Sequence, residues 1–420
     1  MPQRFSGLWR HPDFLKLWAA QTVSLFGTQV TTLALPLTAV LVLHASAGQM
    51  GVLTALSTLP FLLIGLFAGA WVDRLRRRPI LVAADLGRAA LYASIPLAAA
   101  FDRLSIEQLY AVALLAGTLT VFFDVAYQSY LPSLVDRSEL VDGNSKLEIS
   151  NSVARVSGPG IGGALVQIFS APAVILLDTV SFVVSVIFLG AIRRSEPPPA
   201  QRRHGASIWG EIGEGVRVVF RHPLLRPIVA STAVSNFCSG IIAAVFILYL
   251  TRTLHLEPSV IGLTYMIGSL GAVGAALVAA PTARRYGLGP SIIGGKLLIA
   301  IGTFLLPLAG GPIAVTVAIL ICSRLLGGGT IISNVNQVSL RQTITPDRLQ
   351  GRVNATNRFV TWATLPLGSL LGGLLADAIG LRPTLLVAAV GTTLAVLWLF
   401  LSPLPSVREA PRPEGEMVAA

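Results

Sequence analysis

The chain has 420 residues, of which 53% are hydrophobic and only 12% charged, about half the roughly 25% of an ordinary soluble domain. That composition excludes a soluble enzyme, and because the 40 glycines and 26 prolines sit inside apolar runs it excludes a disordered chain as well. A net charge of +11 in so apolar a chain marks Lys- and Arg-rich cytoplasmic loops, so membrane lipid and not nucleic acid is the expected partner.

At about 20 residues per spanning helix, twelve spans take roughly 240 residues and leave about 180 for loops and tails. The fold class expected is an all-α membrane protein. Its first six spans fall at 14–43, 48–72, 79–100, 107–131, 147–169 and 172–192. Ahead of them stand Arg4, Arg10, Asp13 and Lys16, with no short apolar core and small-residue cleavage site, so the first span is expected to be its own insertion signal. Within that span Ser24, Thr28, Gln29 and Thr32 are cavity-lining candidates by depth, and equally candidates for helix–helix hydrogen bonds.

Between the second and third spans the chain reads Gly69-Ala70-Trp71-Val72-Asp73-Arg74-Leu75-Arg76-Arg77-Arg78. A positive-inside loop accounts for the arginines but not for Asp73. A carboxylate at a helix end amid guanidinium groups can lock helices together in one conformation and release them in another. This loop resembles the G-x-x-x-D-R-x-G-R-R signature of the major facilitator superfamily, with Arg76 where that family usually has Gly. The expected lock comprises Asp73, Arg74, Arg77 and Arg78. Asp85 and Arg88, three apart on one face of the third span and about 9 Å from its cytoplasmic end, are expected to extend it.

In the fourth span Asp124 lies among Phe122, Phe123, Tyr127 and Gln128; an acid in apolar surroundings is a candidate proton carrier. The fifth span carries Gly158-Pro159-x-x-Gly162-Gly163, where Pro159 removes a backbone hydrogen bond and the glycines admit a neighbouring helix, as a hinge requires. It resembles the G-P-x-x-G-G motif of the superfamily's drug-exporting antiporters, with Ser145 and Ala154 at two upstream glycine positions. Asp178, roughly 9 Å from the outer face of the sixth span, is the alternative proton carrier. Each acid could instead serve an interhelix hydrogen bond.

Residues 1–192 thus form the expected N-terminal six-helix bundle. A linker at 193–226 follows, Pro-rich and then amphipathic, with Ile208, Ile212, Val216, Val219 and Phe220 near helical spacing. The C-terminal bundle at 227–402 has spans at 227–251, 258–281, 290–309, 312–336, 355–379 and 384–402, and 403–420 reads as a polar tail. Its first span offers Ser235, Asn236 and Ser239 to a cavity on the same footing as the first-span residues. Gly289 to Lys296 is a near miss to a phosphate-binding loop, but a span follows at once, so ATP hydrolysis is not supported. Leu320-x-x-x-Arg324-x-x-Gly327-Gly328 resembles a third superfamily motif normally placed in the fourth span. Arg324 is a candidate for anion binding or for tuning a proton site, or a member of a structural ion pair. Cys238 and Cys322 read as small core residues, and the five histidines are scattered outside span centres, so neither metal nor cofactor is expected.

Two parallel six-helix repeats are suggested by echoes 211 residues apart, His44 and Gly51 against His255 and Gly262, and by the likeness of Gly158–Gly163 to Pro366, Gly368, Gly372 and Gly373. With both termini cytoplasmic, Arg103, Arg252 and Arg382 lie outside and Arg88, Arg155, Lys296 and Arg324 at membrane depth. The rest of the 31 Lys and Arg fall inside. The segments Leu8-Trp9-Arg10-His11-Pro12-Asp13-Phe14, Leu131-Pro132-Ser133-Leu134-Val135 and Gly351-Arg352-Val353-Asn354-Ala355 are similar to the superfamily branch of enterobactin exporters and macrolide efflux proteins. The resemblance implies a monomeric, proton-coupled exporter of amphipathic small molecules, drugs or siderophores, in a bacterial inner membrane. An uptake symporter or a lipid or lysolipid transporter is the alternative, and a non-transporting scaffold or sensor a more distant one.

Overall fold

The computed structural model describes residues 8–72, 74–194, 196 and 216–408. Asp73, Ile208, Ile212 and the tail beyond Arg408 lie outside the described residues. The helices are α1 Pro12–Leu41, α2 Ala47–Leu63, α3 Gly65–Val72, α4 Arg77–Ala100, α5 Ile106–Leu134, α6 Leu140–Ile168, α7 Ala171–Gly190, α8 Leu225–Leu248, α9 Pro258–Tyr286, α10 Leu288–Leu308, α11 Ile313–Leu326, α12 Gly329–Ile344, α13 Asp347–Ile379 and α14 Leu381–Phe400.

Ten helical stretches among the described residues are long and apolar enough to cross a membrane. The two other expected spans behave differently for visible reasons. The stretch 48–72 is interrupted at Ile64, between Pro60 inside α2 and Gly65 at the start of α3. A helical proline lacks the N–H and crowds the preceding turn, and the glycine adds no preference for continuing. The stretch 147–169 lies on α6, whose first half, Leu140 to Ser150, carries Asp142, Asn144, Lys146 and Glu148. α6 and α13 begin seven and eight residues earlier than the hydropathy windows expect, because their first turns are polar and helical at once. The stretch 312–336 breaks at Gly327-Gly328 into α11 and α12.

The chain divides into two compact units. One takes in the described residues of Met1–Ala45, Leu56–Arg203 and Leu256–Met266. In it α1 packs on α6 and α7, and α4 on α5 and α7. Its core gathers Phe14, Leu17, Leu81, Phe123, Tyr130, Leu131 and Leu189. The other takes in Ser46–Ala55, the described residues of His204–His255, and those of Ile267–Ala420. There α8 packs on α13 and α14, and α10 on α11, α12 and α14, the same scheme again. Val219 of the expected amphipathic segment is fully buried in its core beside Leu224, Ile228 and Leu399. The first residues of the expected tail dock too: Gly289 N donates to Val407 O at 2.8 Å and Leu404 is buried.

The echoes seen in sequence have a geometric counterpart. His44 and His255 share the same left-handed backbone, with φ of 51° at both, uncommon outside glycine. Each precedes a helix start that is capped by a side chain within its own unit. Asp377 accepts from Ala47 N at 3.1 Å and Gly48 N at 2.8 Å, and Gln167 accepts from Ser259 N at 3.5 Å. One turn on, a Cβ at Gly51 would press on Gly373 Cα at 3.0 Å and a Cβ at Gly262 on Gly163 Cα at 3.0 Å, so both crossings require glycine.

Candidate functional site

Charge in a membrane-spanning unit is costly and has to be compensated locally. In the first unit that compensation is concentrated where α1, α4, α5 and α7 meet. Asp85 and Arg88 form a buried ion pair on α4, 0% and 4% exposed, and the guanidinium lies over the rings of Phe123 at 4.3 Å and Phe182 at 4.4 Å. Arg88 Nη1 reaches Thr120 Oγ1 at 3.5 Å. Stacking of Tyr92 on Phe182, with centroids 6.0 Å apart, closes another side.

Asp178 on α7 belongs to this cluster. Its carboxyl is 0% exposed and in electrostatic reach of Arg88 and Asp85, with Thr31 of α1 beside it. Oδ1 accepts from Ser181 Oγ at 3.1 Å, whereas Oδ2 is buried without a hydrogen-bond partner among the described residues. α1 comes this close because residue 27 is glycine; a Cβ there would meet both Ser181 and Asp178. Asp178, Ser181 and Ser185 follow each other at helical spacing, so they line one face of α7.

Asp124 is placed differently. It is half-buried on α5, near Tyr127, whose ring stacks on Phe123 at 6.1 Å and whose hydroxyl is buried.

Asp85 and Arg88 therefore sit with Asp178, while Arg77 and Arg78 are engaged elsewhere. At the start of α4, Arg77 N and Nη1 donate to Glu196 Oε1 at 2.8 and 3.3 Å, and Arg78 N to Glu196 Oε2 at 3.3 Å. Arg78 Nε also donates to Leu189 O at 2.9 Å. Arg74 is exposed. Asp13 is used alike at the start of α1, accepting from Lys16 Nζ at 2.8 Å and from the amides of Arg193 and Arg194 at 3.1 and 2.9 Å. Sequence reasoning missed Glu196; the only hint was a lone acid between an arginine pair and a proline run.

Gly158, Pro159, Gly162 and Gly163 are all buried. A Cβ on Gly158 would strike Gln29, one on Gly162 would meet Val30 Cα at 3.3 Å, and Gly163 faces Gly262. The second unit repeats the seam: a Cβ on Gly372 would meet Ile241 Cα at 2.6 Å, and Ile241 stands 211 residues after Val30.

Of the proposed cavity residues, Ser24 and Ser235 are buried, Thr28, Gln29 and Asn236 half-buried, and Thr32 and Ser239 exposed. Thr32 Oγ1 donates to Thr28 O at 2.9 Å and Asn236 Nδ2 to Thr361 O at 2.8 Å. Arg324 stacks over Phe246 at 4.4 Å and packs against Gly268.

Comparison with known proteins supplies the family. The profile described as Major Facilitator Superfamily matches residues 17–362 and 228–419. The chain belongs to the Major Facilitator Superfamily. It is 30% identical over 414 residues to the multidrug efflux pump Tap of Mycolicibacterium fortuitum, covering 95% of this chain and 97% of the relative. It is 25% identical to the enterobactin exporter EntS of Citrobacter koseri over 87% of this chain and 85% of that one. In fold it is similar to a bacterial homologue of the iron transporter ferroportin, with a TM-score of 0.74, 18% identity, and coverage of 96% and 100% of the two chains. The protein is accordingly a multi-pass transporter of the cell membrane and not an enzyme.

Proposed function

We propose that this transporter exports amphipathic small molecules, drugs or siderophores, by proton-coupled alternating access, with Asp178 as the proton-carrying group. In this reading the chain crosses the membrane twelve times with both termini cytoplasmic. Residues 1–192 and 227–402 supply the two bundles, and a single copy works among lipids without a partner protein. Export is supported by near full-length similarity to proteins named as a multidrug efflux pump and an enterobactin exporter. Outward vectorial transport needs a driving force, and a chain without a nucleotide-binding motif draws it from an ion gradient.

The observation that carries the proton assignment is the Asp178 carboxyl, wholly buried, one oxygen held by Ser181 and the other without a hydrogen-bond partner among the described residues. A proton carrier must be neutral in one access state and ionised in the other. Arg88 nearby can stabilise the ionised form, and burial the neutral one. Asp124 is only half-buried where Asp178 is wholly buried, so we order the two acids Asp178 before Asp124. Gly158, Pro159, Gly162 and Gly163 serve as the hinge, and Asp73 with its arginines as the cytoplasmic lock.

The test is substrate accumulation in everted membrane vesicles with and without an imposed proton gradient. Gradient-dependent accumulation is expected. Accumulation only in right-side-out vesicles indicates an uptake symporter, and none in either orientation a scaffold or sensor.

A further inference from the structure

The two units treat buried charge in opposite ways. In the first, Arg88 is matched by Asp85. In the second, α10 is an apolar helix with a single ionisable side chain, Lys296, about 12 Å along from Leu288 at 1.5 Å per residue. Lys296 is 5% exposed. Its Nζ donates to Ser235 Oγ of α8 at 3.1 Å, and among the described residues no ion pair includes it. An ammonium has three donors and no acceptor, so one hydroxyl leaves it largely unsolvated.

Among the described residues no carboxylate forms an ion pair with it. The segments 225–248, 288–308, 313–344 and 381–400 contain neither Asp nor Glu, and the two acids of α13, Asp347 and Asp377, stand at its ends. Asp377 is committed to the amides of Ala47 and Gly48. The neutral groups around the α8 seam are also engaged with one another. Thr232 Oγ1 donates to Gln337 Oε1 at 3.0 Å, Gln337 Nε2 to Ser333 Oγ at 2.7 Å, and Ser231 Oγ to Ala395 O at 2.8 Å. Another cation of this unit, half-buried Arg324, lies over an aromatic ring. The seam is one turn from an open face: Ser239, on the same side of α8 as Ser235 at i+4, is exposed.

We infer that Lys296 receives the acidic group of the substrate, so that the transporter favours amphipathic organic anions and zwitterions over neutral molecules of the same shape. This rests on the export reading above for its physiological meaning, but the binding preference does not. A buried ammonium with one hydroxyl partner and no ion pair among the described residues gains a charge-assisted hydrogen bond when a carboxylate or phenolate reaches it. A neutral ligand leaves the ammonium as it was.

The experiment measures equilibrium binding of dansyl-aminoundecanoic acid and its methyl ester to the full chain in nanodiscs, with empty nanodiscs as blank. The wild type is expected to bind the acid roughly tenfold or more tightly than the ester. Lys296→Met should lose that preference while ester affinity stays within about twofold, and Lys296→Arg should keep most of it. Should Lys296→Met not fold, Lys296→Gln keeps a donor without the charge and must lose the preference too. Parallel loss of both ligands on substitution, or a wild type without preference or without binding of either probe, overturns the assignment. Vesicle flux is read separately: a retained acid preference without gradient-driven flux refutes export alone, and flux without the preference refutes the role of Lys296 alone.

Discussion

Asp85, Arg88 and Asp178 set the charge balance of the first unit: two carboxyls and one guanidinium, all buried, with Oδ2 of both acids lacking a hydrogen-bond partner among the described residues. Removing the cation while leaving the acids is therefore expected to be severe. Arg88→Met should destabilise the protein by about 3–5 kcal/mol, and the double change Asp85→Leu with Arg88→Met should recover most of the loss. Thermal unfolding of the purified variants in detergent checks this; two additive single effects would show the pair to be uncoupled. Sequence spacing put Asp85 and Arg88 on one helix face but could not show which neighbours that face meets. Proximity to the arginine-rich loop suggested an extension of the lock, whereas packing brings α7 and its Asp178–Ser181–Ser185 face against them. A contact between residues some ninety positions apart leaves no local signal.

Helices carry the next level of constraint. α1 and α6 meet at Gly158 and Gly162, and α8 and α13 meet at Gly368 and Gly372, where a side chain would run into backbone or Cβ atoms of the facing helix. Gly162→Leu and Gly372→Leu should each lower transport and stability together, since the seams are repeats of one design, with the tighter Gly372 seam the more sensitive. A large effect at one and none at the other, by flux and unfolding measured on the same preparations, would deny the equivalence. The start of α2 makes a smaller prediction. Asp377→Ala removes the cap on Ala47 and Gly48 and should cost about 0.5–2 kcal/mol, read as faster amide exchange over residues 47–50, and Asp377→Asn should be milder. Glycine and proline positions made these seams legible in the sequence. The caps were not, because the acid and its amides are 330 residues apart.

At the scale of the whole molecule, composition and hydropathy were enough to expect a helical membrane protein, because the energetic demand of the bilayer is written along every span. Span ends were less legible: α6 and α13 begin with polar turns that hydropathy assigns to loops, and the break at Ile64 depends on how Pro60 and Gly65 act together. The duplication was faint in sequence at two histidines and a few glycines. It is plain in shared packing and in the matching φ of His44 and His255. Function needs more than fold, and the central claim is that one buried carboxyl couples a proton gradient to substrate movement. The most direct measurement compares two fluxes through Asp178→Asn in proteoliposomes: substrate exchange at equilibrium, which needs no proton, and uphill export driven by an imposed pH gradient. The account predicts that exchange persists near the wild-type rate while uphill export is abolished, with Asp124→Asn retaining both. Uphill export by Asp178→Asn, or its loss in Asp124→Asn alone, would contradict it.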